Sequence, residues 1–240
     1  MQNSTPLTME LELLKEELLK MGRLLEEQVF KSVKALVDKN MDLAGEVIKN
    51  DDIVDKMELE IEKKCLSLLA LKQPLAKDLR LIGSVLRIIV DMERMSDLAE
   101  DVARIAMELY DQPYIKRLID IPRMGVVAQQ MVETAMKALI DEDIEMAMTL
   151  LPMECEMDGL YNQIFRELLS YMMQDAKNIP QATRLLLVAG CLERIGDHAT
   201  NLGEMVIYVV DGRRIDINRQ ARSISRVIEE EKSGNETPEK

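Results

Sequence analysis

A chain of 240 residues that is 47% hydrophobic can bury a full core, which excludes disorder over most of its length. Its 44 acidic residues outnumber 31 basic ones, for a net charge of −13, and no basic cluster larger than the pair Arg213-Arg214 relieves it, so nucleic acid and anionic membrane surfaces are poor partners. Aromatics are only 3% and tryptophan is absent while Leu, Met, Ala, Glu and Lys dominate, a composition suited to helices and poor for sheets.

In chain order, helices are expected at roughly 8–38, 42–71 and 75–110, then 118–140, 143–175 and 179–210. Pro6, Pro74, Pro113, Pro122 and Pro180 fall between the periodic stretches, where a missing N–H does least harm. Pro152 lies inside the fifth segment and predicts a break there, separating a short DIEMAMTLL piece from the helix beyond. The opening MQNSTPLTMELELLKEELLK lacks the basic-then-apolar order of a signal peptide. No apolar run of about 18 residues occurs, so no stable membrane insertion and a cytoplasmic location are expected. Cys65, Cys155 and Cys191 are odd in number and far apart, and read as small core or boundary residues in a reducing compartment.

The chain is written twice. KALVDKNMDLA at 34–44 aligns with KALIDEDIEMA at 137–147, an offset of 103 that also pairs Met21-Gly22 with Met124-Gly125 and DDIVDKMELEI with ECEMDGLYNQI. Further on the offset falls to 100, and Glu93, Arg94 and Asp97 match Glu193, Arg194 and Asp197. The expected fold is all-α, with two tandem, similar three-helix bundles at 8–112 and 116–212, followed by a polar, flexible tail at 213–240.

Acidic residues four apart share a helix face. Glu93, Asp97 and Asp101 form one ladder, and Glu193, Asp197 and the amide Asn201 its counterpart. Asp51 with Asp55, and Glu154 with Asp158, form shorter ladders on the preceding helix of each half. At 100° per residue the first ladder continues the stripe of Leu79, Ile82 and Leu86, and the second that of Ile179, Ala182 and Leu186, so the acids should line a groove at the edge of the core. Hard oxygen donors from two helices suit a cation. A solvated face, or pairing with Arg94 and Arg194, explains the same spacing. His198, next to Asp197, should point about 100° away from that edge and make an interhelical contact. No nucleophile–histidine pair is repeated, and no glycine-rich phosphate cradle occurs.

The doubled E-R-x-x-D with further acids a turn away, in LLALKQPLAKDLRLI followed by DMERMSDLAEDVARI and again in LERIGDHATNLGEMVIYVVDG, resembles the PhoU family of phosphate-uptake regulators over residues 8 to 213. The resemblance implies a non-enzymatic, dimeric, cytoplasmic negative regulator, a homodimer that acts between the phosphate ABC transporter and a sensor histidine kinase. It implies metal ions (iron, zinc, manganese or magnesium) on Asp51, Asp55, Glu93, Asp97 and Asp101 in one half. In the other it places them on Glu154, Asp158, Glu193 and Asp197, with Asn201 standing where Asp101 stands. Carboxylate clusters on bundles also support oxidase or phosphohydrolase chemistry, although the Glu-x-x-His usual in such enzymes is missing. A purely structural bundle, its acids neutralised by Arg94 and Arg194, is the third reading.

Overall fold

The structure, a computed structural model, describes residues 6–234, with side chains as far as 225. Residues 1–5 of the opening stretch and 235–240 of the expected tail lie outside the described residues. The first repeat is α1 (Pro6–Asp38), α2 (Met41–Lys72) and α3 (Ala76–Glu108). The second is α4 (Asp120–Asp141), the short α5 (Ile144–Met148), α6 (Leu150–Gln174) and α7 (Ile179–Asp211), with a 3₁₀ turn at Ala176–Asn178. α5 and α6 part at Thr149, so Pro152 sits in the first turn of α6, where its missing N–H has no intrahelical partner to lose.

The first turn of each repeat is the same device used twice. Lys39 and Glu142 take left-handed backbone at φ 53° and 52°. Asn40 then accepts from the Leu43 N–H and Asp143 from the Met146 N–H, both at 3.0 Å, to cap the following helix.

Helix α2 buries one narrow stripe, Val47, Val54, Ile61 and Leu68, spaced by sevens, and α6 repeats it with Leu150, Met157 and Ile164. α3 and α7 bury far more, because each packs on its own repeat and on the other. They run antiparallel: Arg80 meets Val209 near one end of the pair and Asp91 meets His198 and Asn201 near the middle. α1 meets α4 as well, so the two bundles share one continuous apolar core.

The expected flexible tail is corrected in part. Ile217–Gly234 forms a further helix, α8, laid along α6 with Ile217 and Ala221 buried. Its start is held twice: the Asp216 carboxylate accepts from the Arg219 N–H, and Glu204 on α7 accepts from the Ile217 N–H, each at 2.7 Å. Its charge makes it read as a tail, although Ile217, Ala221, Ile224 and Ile228 recur at helical spacing; the partner that holds it lies on another helix.

Gly22 and Gly125, equivalent in the two repeats, let α1 and α4 approach. A Cβ on Gly22 would stand 2.8 Å from Met136 Cγ, and one on Gly125 2.9 Å from Val33 Cγ2. Methionine can swing aside and valine cannot. Gly125→Ala is expected to destabilise by about 1–3 kcal/mol from overpacking. Both substitutions gain about 1 kcal/mol of helix propensity, and Gly22→Ala should cost less than Gly125→Ala because the unbranched Met136 can repack. Urea unfolding of both variants checks this; equal losses would contradict the asymmetry.

Candidate functional site

The acids enter the site through the buried stripe of α2 and α6. Between the sevens-spaced apolar positions runs a second row, Asp51, Glu58 and Cys65 in the first repeat and Glu154, Tyr161 and Leu168 in the second. Asp51 and Glu154 therefore occupy positions that a core residue would otherwise fill. The facing acids come from α3 and α7, where Glu93 and Asp97, and Glu193 and Asp197, stand half-buried at the margin of the core. The apolar stripe leading to them is shorter than expected: Ile82 and Ala182 are buried, while Leu79 and Ile179 are exposed.

In the first groove Asp51, Asp55, Glu93 and Asp97 come together, and Glu58 and Glu100 join them within electrostatic reach. Those two were not singled out in the sequence, although each lies three residues from a ladder acid. Burial first, then neighbouring carboxylates, raises Asp51, Glu58, Glu93 and Asp97 above their ordinary range. Ser96 Oγ lies 2.7 Å from Asp51 Oδ1 and 2.9 Å from the buried Gln28 amide. A hydroxyl has one proton, so Ser96 donates it to Asp51, and turning the Gln28 amide lets its otherwise unpartnered Nε2 donate to Ser96.

The second groove is built differently at the same positions. Gln28, Ser96 and Asp51 become Met131, Gly196 and Glu154. The longer glutamate reaches into the space the serine leaves: a Cβ on Gly196 would be 3.2 Å from Glu154 Oε2 and 3.3 Å from Met131 Sδ. That oxygen is buried with no hydrogen-bond partner. Burial, with Asp197, Asp158 and Glu193 adding to it, pushes Glu154 up to about 8. Burial, Asp197 and Asp158 likewise push Glu193 up to about 7.

Arginine relieves this charge only partly. Arg94 is exposed and stands 3.5 Å from both Glu93 and Asp97, a geometry worth little in water. Arg194 lowers Glu193 only at longer range. The cation that does reach the second groove is Arg222 of α8, 3.3 Å from Asp197 Oδ1, with Ser225 donating to Asp158 at 3.2 Å. α8 thus lies over the second groove, and nothing equivalent follows the first repeat, since residues 109–119 cross to α4 instead.

One of the expected ligands, Asn201, turns to a different partner. Asn201 donates to Asp91 Oδ1 at 3.1 Å, beside the His198 Nδ1–H, which donates to the same oxygen at 2.7 Å. That interhelical bond is the role expected of His198. Asp101, equivalent to Asn201, is exposed and acts electrostatically on Cys191, the residue equivalent to Asp91. Asp101 also reaches Asp97 electrostatically, which leaves it at the rim of the first groove. The three thiols are free, Cys65 in the core and Cys155 and Cys191 at its boundary, and burial pushes Cys65 up to about 12 and Cys191 up to about 11, which disfavours a reactive thiolate.

The donor set, carboxylate oxygens with one buried oxygen unpartnered, fits a hard cation in its chemistry. Among the described residues no group of three or more His, Cys, Asp or Glu side chains is arranged to hold one, so closing on an ion requires the carboxylates to turn inward. The residues available are Asp51, Asp55, Glu93 and Asp97 in one groove, and Glu154, Asp158, Glu193 and Asp197 in the other.

The sign of the pH dependence follows from Glu154. In the unfolded chain it ionises near 4.5, and in the folded protein near 8, so between these values folding must hold a proton that the unfolded chain has released. Stability of the chelated protein falls as pH rises through that window, with no penalty below it and the full penalty above. Glu154→Gln should therefore raise the unfolding midpoint at pH 8.5 by several degrees and leave it unmoved at pH 4. Thermal melts at the two pH values check this; a gain confined to pH 4 would contradict it.

Known proteins bear on this geometry. The PhoU domain model matches residues 18–106 and 121–206. The phosphate-specific transport system accessory protein PhoU homolog of Clostridium acetobutylicum is 36% identical, over 87% of this chain and 96% of its own length. That of Aquifex aeolicus is 40% identical, over 85% and 92%. The crystal structure of PhoU from Pseudomonas aeruginosa superposes with a TM-score of 0.82 at 39% identity, over 85% of this chain and 98% of that one. The phosphate transport system regulatory protein PhoU from Streptococcus pneumoniae gives 0.81 at 27% identity, over 88% and 99%. With both repeats matched and relatives covered nearly end to end, the chain belongs to the PhoU family, whose named members are transport accessory and regulatory proteins rather than enzymes.

Proposed function

We propose that this protein is an accessory regulator that restrains phosphate uptake, a metal-loaded helical adaptor standing between a phosphate ABC transporter and a sensor histidine kinase. The observation that carries the reading is the pair of equivalent grooves, conserved in position between the repeats, whose carboxylates repel one another with too few arginines nearby to neutralise them. A bound divalent or trivalent ion supplies positive charge that removes this repulsion and fixes the acids in one arrangement. The surrounding residues do the rest: Ser96 and Gln28 orient Asp51, Gly196 makes room for Glu154, and Arg222 screens Asp197.

Adaptor action needs no transmembrane anchor, and among the described residues no helix is long and apolar enough to cross a membrane. A cytoplasmic homodimer fits the reading. Exposed Leu66 and Leu169, at equivalent positions of the two repeats, supply apolar surface for contacts with a second copy or a transporter subunit.

Two tests follow. In a host carrying no second copy, deletion of the gene should derepress phosphate uptake and phosphate-responsive transcription. The wild type should restore both, and a folded Asp97→Asn/Asp197→Asn variant should not. Unchanged uptake on deletion would overturn the regulator reading, whereas full rescue by the variant would remove the grooves from it. Separately, Arg222→Ala should tighten Mn²⁺ binding at the second groove by about tenfold, as expected for loss of one partly desolvated cation, without altering the first. Calorimetric titration reads this, and weaker binding would mean that Arg222 organises the groove rather than competing for it.

A further inference from the structure

Away from both grooves, at the end of the α3–α7 seam where α3 begins and α7 stops, Arg80, Arg87 and Arg214 converge on a cavity of about 240 Å³ that is also lined by Ser84, Gly83 and Tyr208. In a chain with a net charge of −13, a pocket bordered by arginines is unexpected. Among the described residues none of the three arginines makes an ion pair with a carboxylate within 4.0 Å. Glu204 lies within electrostatic reach of Arg87 without pairing with it, and its carboxylate also accepts from the Ile217 N–H.

Part of this charge has an internal use. Arg80 donates through Nε and Nη2 to the Val209 carbonyl at 3.2 and 3.1 Å, satisfying one of the last carbonyls of α7, and its guanidinium lies against Gly212. Two of its five N–H groups are spent there. Arg214 lies over the Tyr208 ring at 5.4 Å, which positions its charge without neutralising it. Ser84 is 1% exposed, and its Oγ is buried with no hydrogen-bond partner, an arrangement that costs stability unless something fills it.

The other end of the same seam shows what balance looks like. There Arg184 stands where Ser84 stands and Glu108 where Tyr208 does, and the two pair at 2.7 Å. One end holds its own anion, and the other has the cations, an unsatisfied hydroxyl and an open cavity.

We infer that this pocket binds a small tetrahedral oxyanion, recognised by the guanidinium groups of Arg80, Arg87 and Arg214 and by the Ser84 hydroxyl. Planar guanidinium forks match phosphate oxygens in pairs, which an ammonium or a single helix end does not. The pocket's chemistry stands apart from the grooves; the choice of inorganic phosphate as its ligand rests on the regulator reading.

The test titrates inorganic phosphate into the full chain at constant ionic strength with chelator present, followed by calorimetry. Saturable 1:1 binding is expected, weakened about tenfold or more in Arg87→Ala/Arg214→Ala. Gly83→Glu should have the same effect, since a Cβ there meets nothing within 4 Å and the added carboxylate enters the pocket without disturbing the helix. Circular dichroism verifies that both variants fold. Absence of saturable binding, equal binding in the variants, or binding that appears only when Mn²⁺ replaces the chelator would overturn the inference. So would retention on phosphatidylglycerol vesicles without binding of free phosphate, which would make the arginines a membrane contact. Loss of this site would leave the regulator reading untouched, because gene deletion tests that independently.

Discussion

Everything in this protein is arranged around the antiparallel pairing of α3 with α7. Each helix packs on its own repeat and on the other, so their buried faces are wide and only a narrow margin remains between core and solvent. The margin is where Glu93, Asp97, Glu193 and Asp197 stand. α2 and α6 complete the grooves by presenting Asp51 and Glu154 from inside their buried stripes, where burial disfavours charge and the neighbouring acids add repulsion. The pairing that stabilises the fold is thus also what holds like charges together. It brings the three arginines to one end of the seam as well, and the Asp91 contacts with His198 and Asn201 to its middle.

Duplication produced two grooves, and three substitutions made them unlike. Asp51 rests on Ser96 and Gln28; Glu154 has Gly196 and Met131 around it instead, and one oxygen without a partner. α8 then covers only the second groove, delivering Arg222 to Asp197 and Ser225 to Asp158. One groove is hydrogen-bonded and open, while the other is drier, more strongly perturbed and screened by a helix.

Much of this was legible in the residues. The offsets of 103 and 100 and the prolines give the two bundles and their turns, and the E-R-x-x-D doublets with the shorter ladders Asp51/Asp55 and Glu154/Asp158 give four acids for each groove. What escaped required knowledge of partners. Glu58 and Glu100 carry no local signal that sets them apart, and only the facing of α2 and α3 brings them to the groove. Asn201 continued the ladder in projection, yet its amide turns to Asp91 because the other repeat lies on that side. Residues 217–234 read as a tail from their charge, although Ile217, Ala221, Ile224 and Ile228 recur at helical spacing; the cap from Glu204 and the docking of Ile217 and Ala221 show where that apolar stripe goes. The arginine pocket is drawn from positions 80, 87 and 214, which no local window connects.

The central claim is that the grooves hold cations because their own arginines leave the acids uncompensated. Elemental analysis of protein purified without chelator or affinity tag, beside the Asp97→Asn/Asp197→Asn variant, tests it most directly. The account predicts stoichiometric metal in the wild type and its loss in the variant, with the fold retained. Metal-free wild type, or equal metal in both, would contradict it and return these carboxylates to solvent, Arg94 and Arg222.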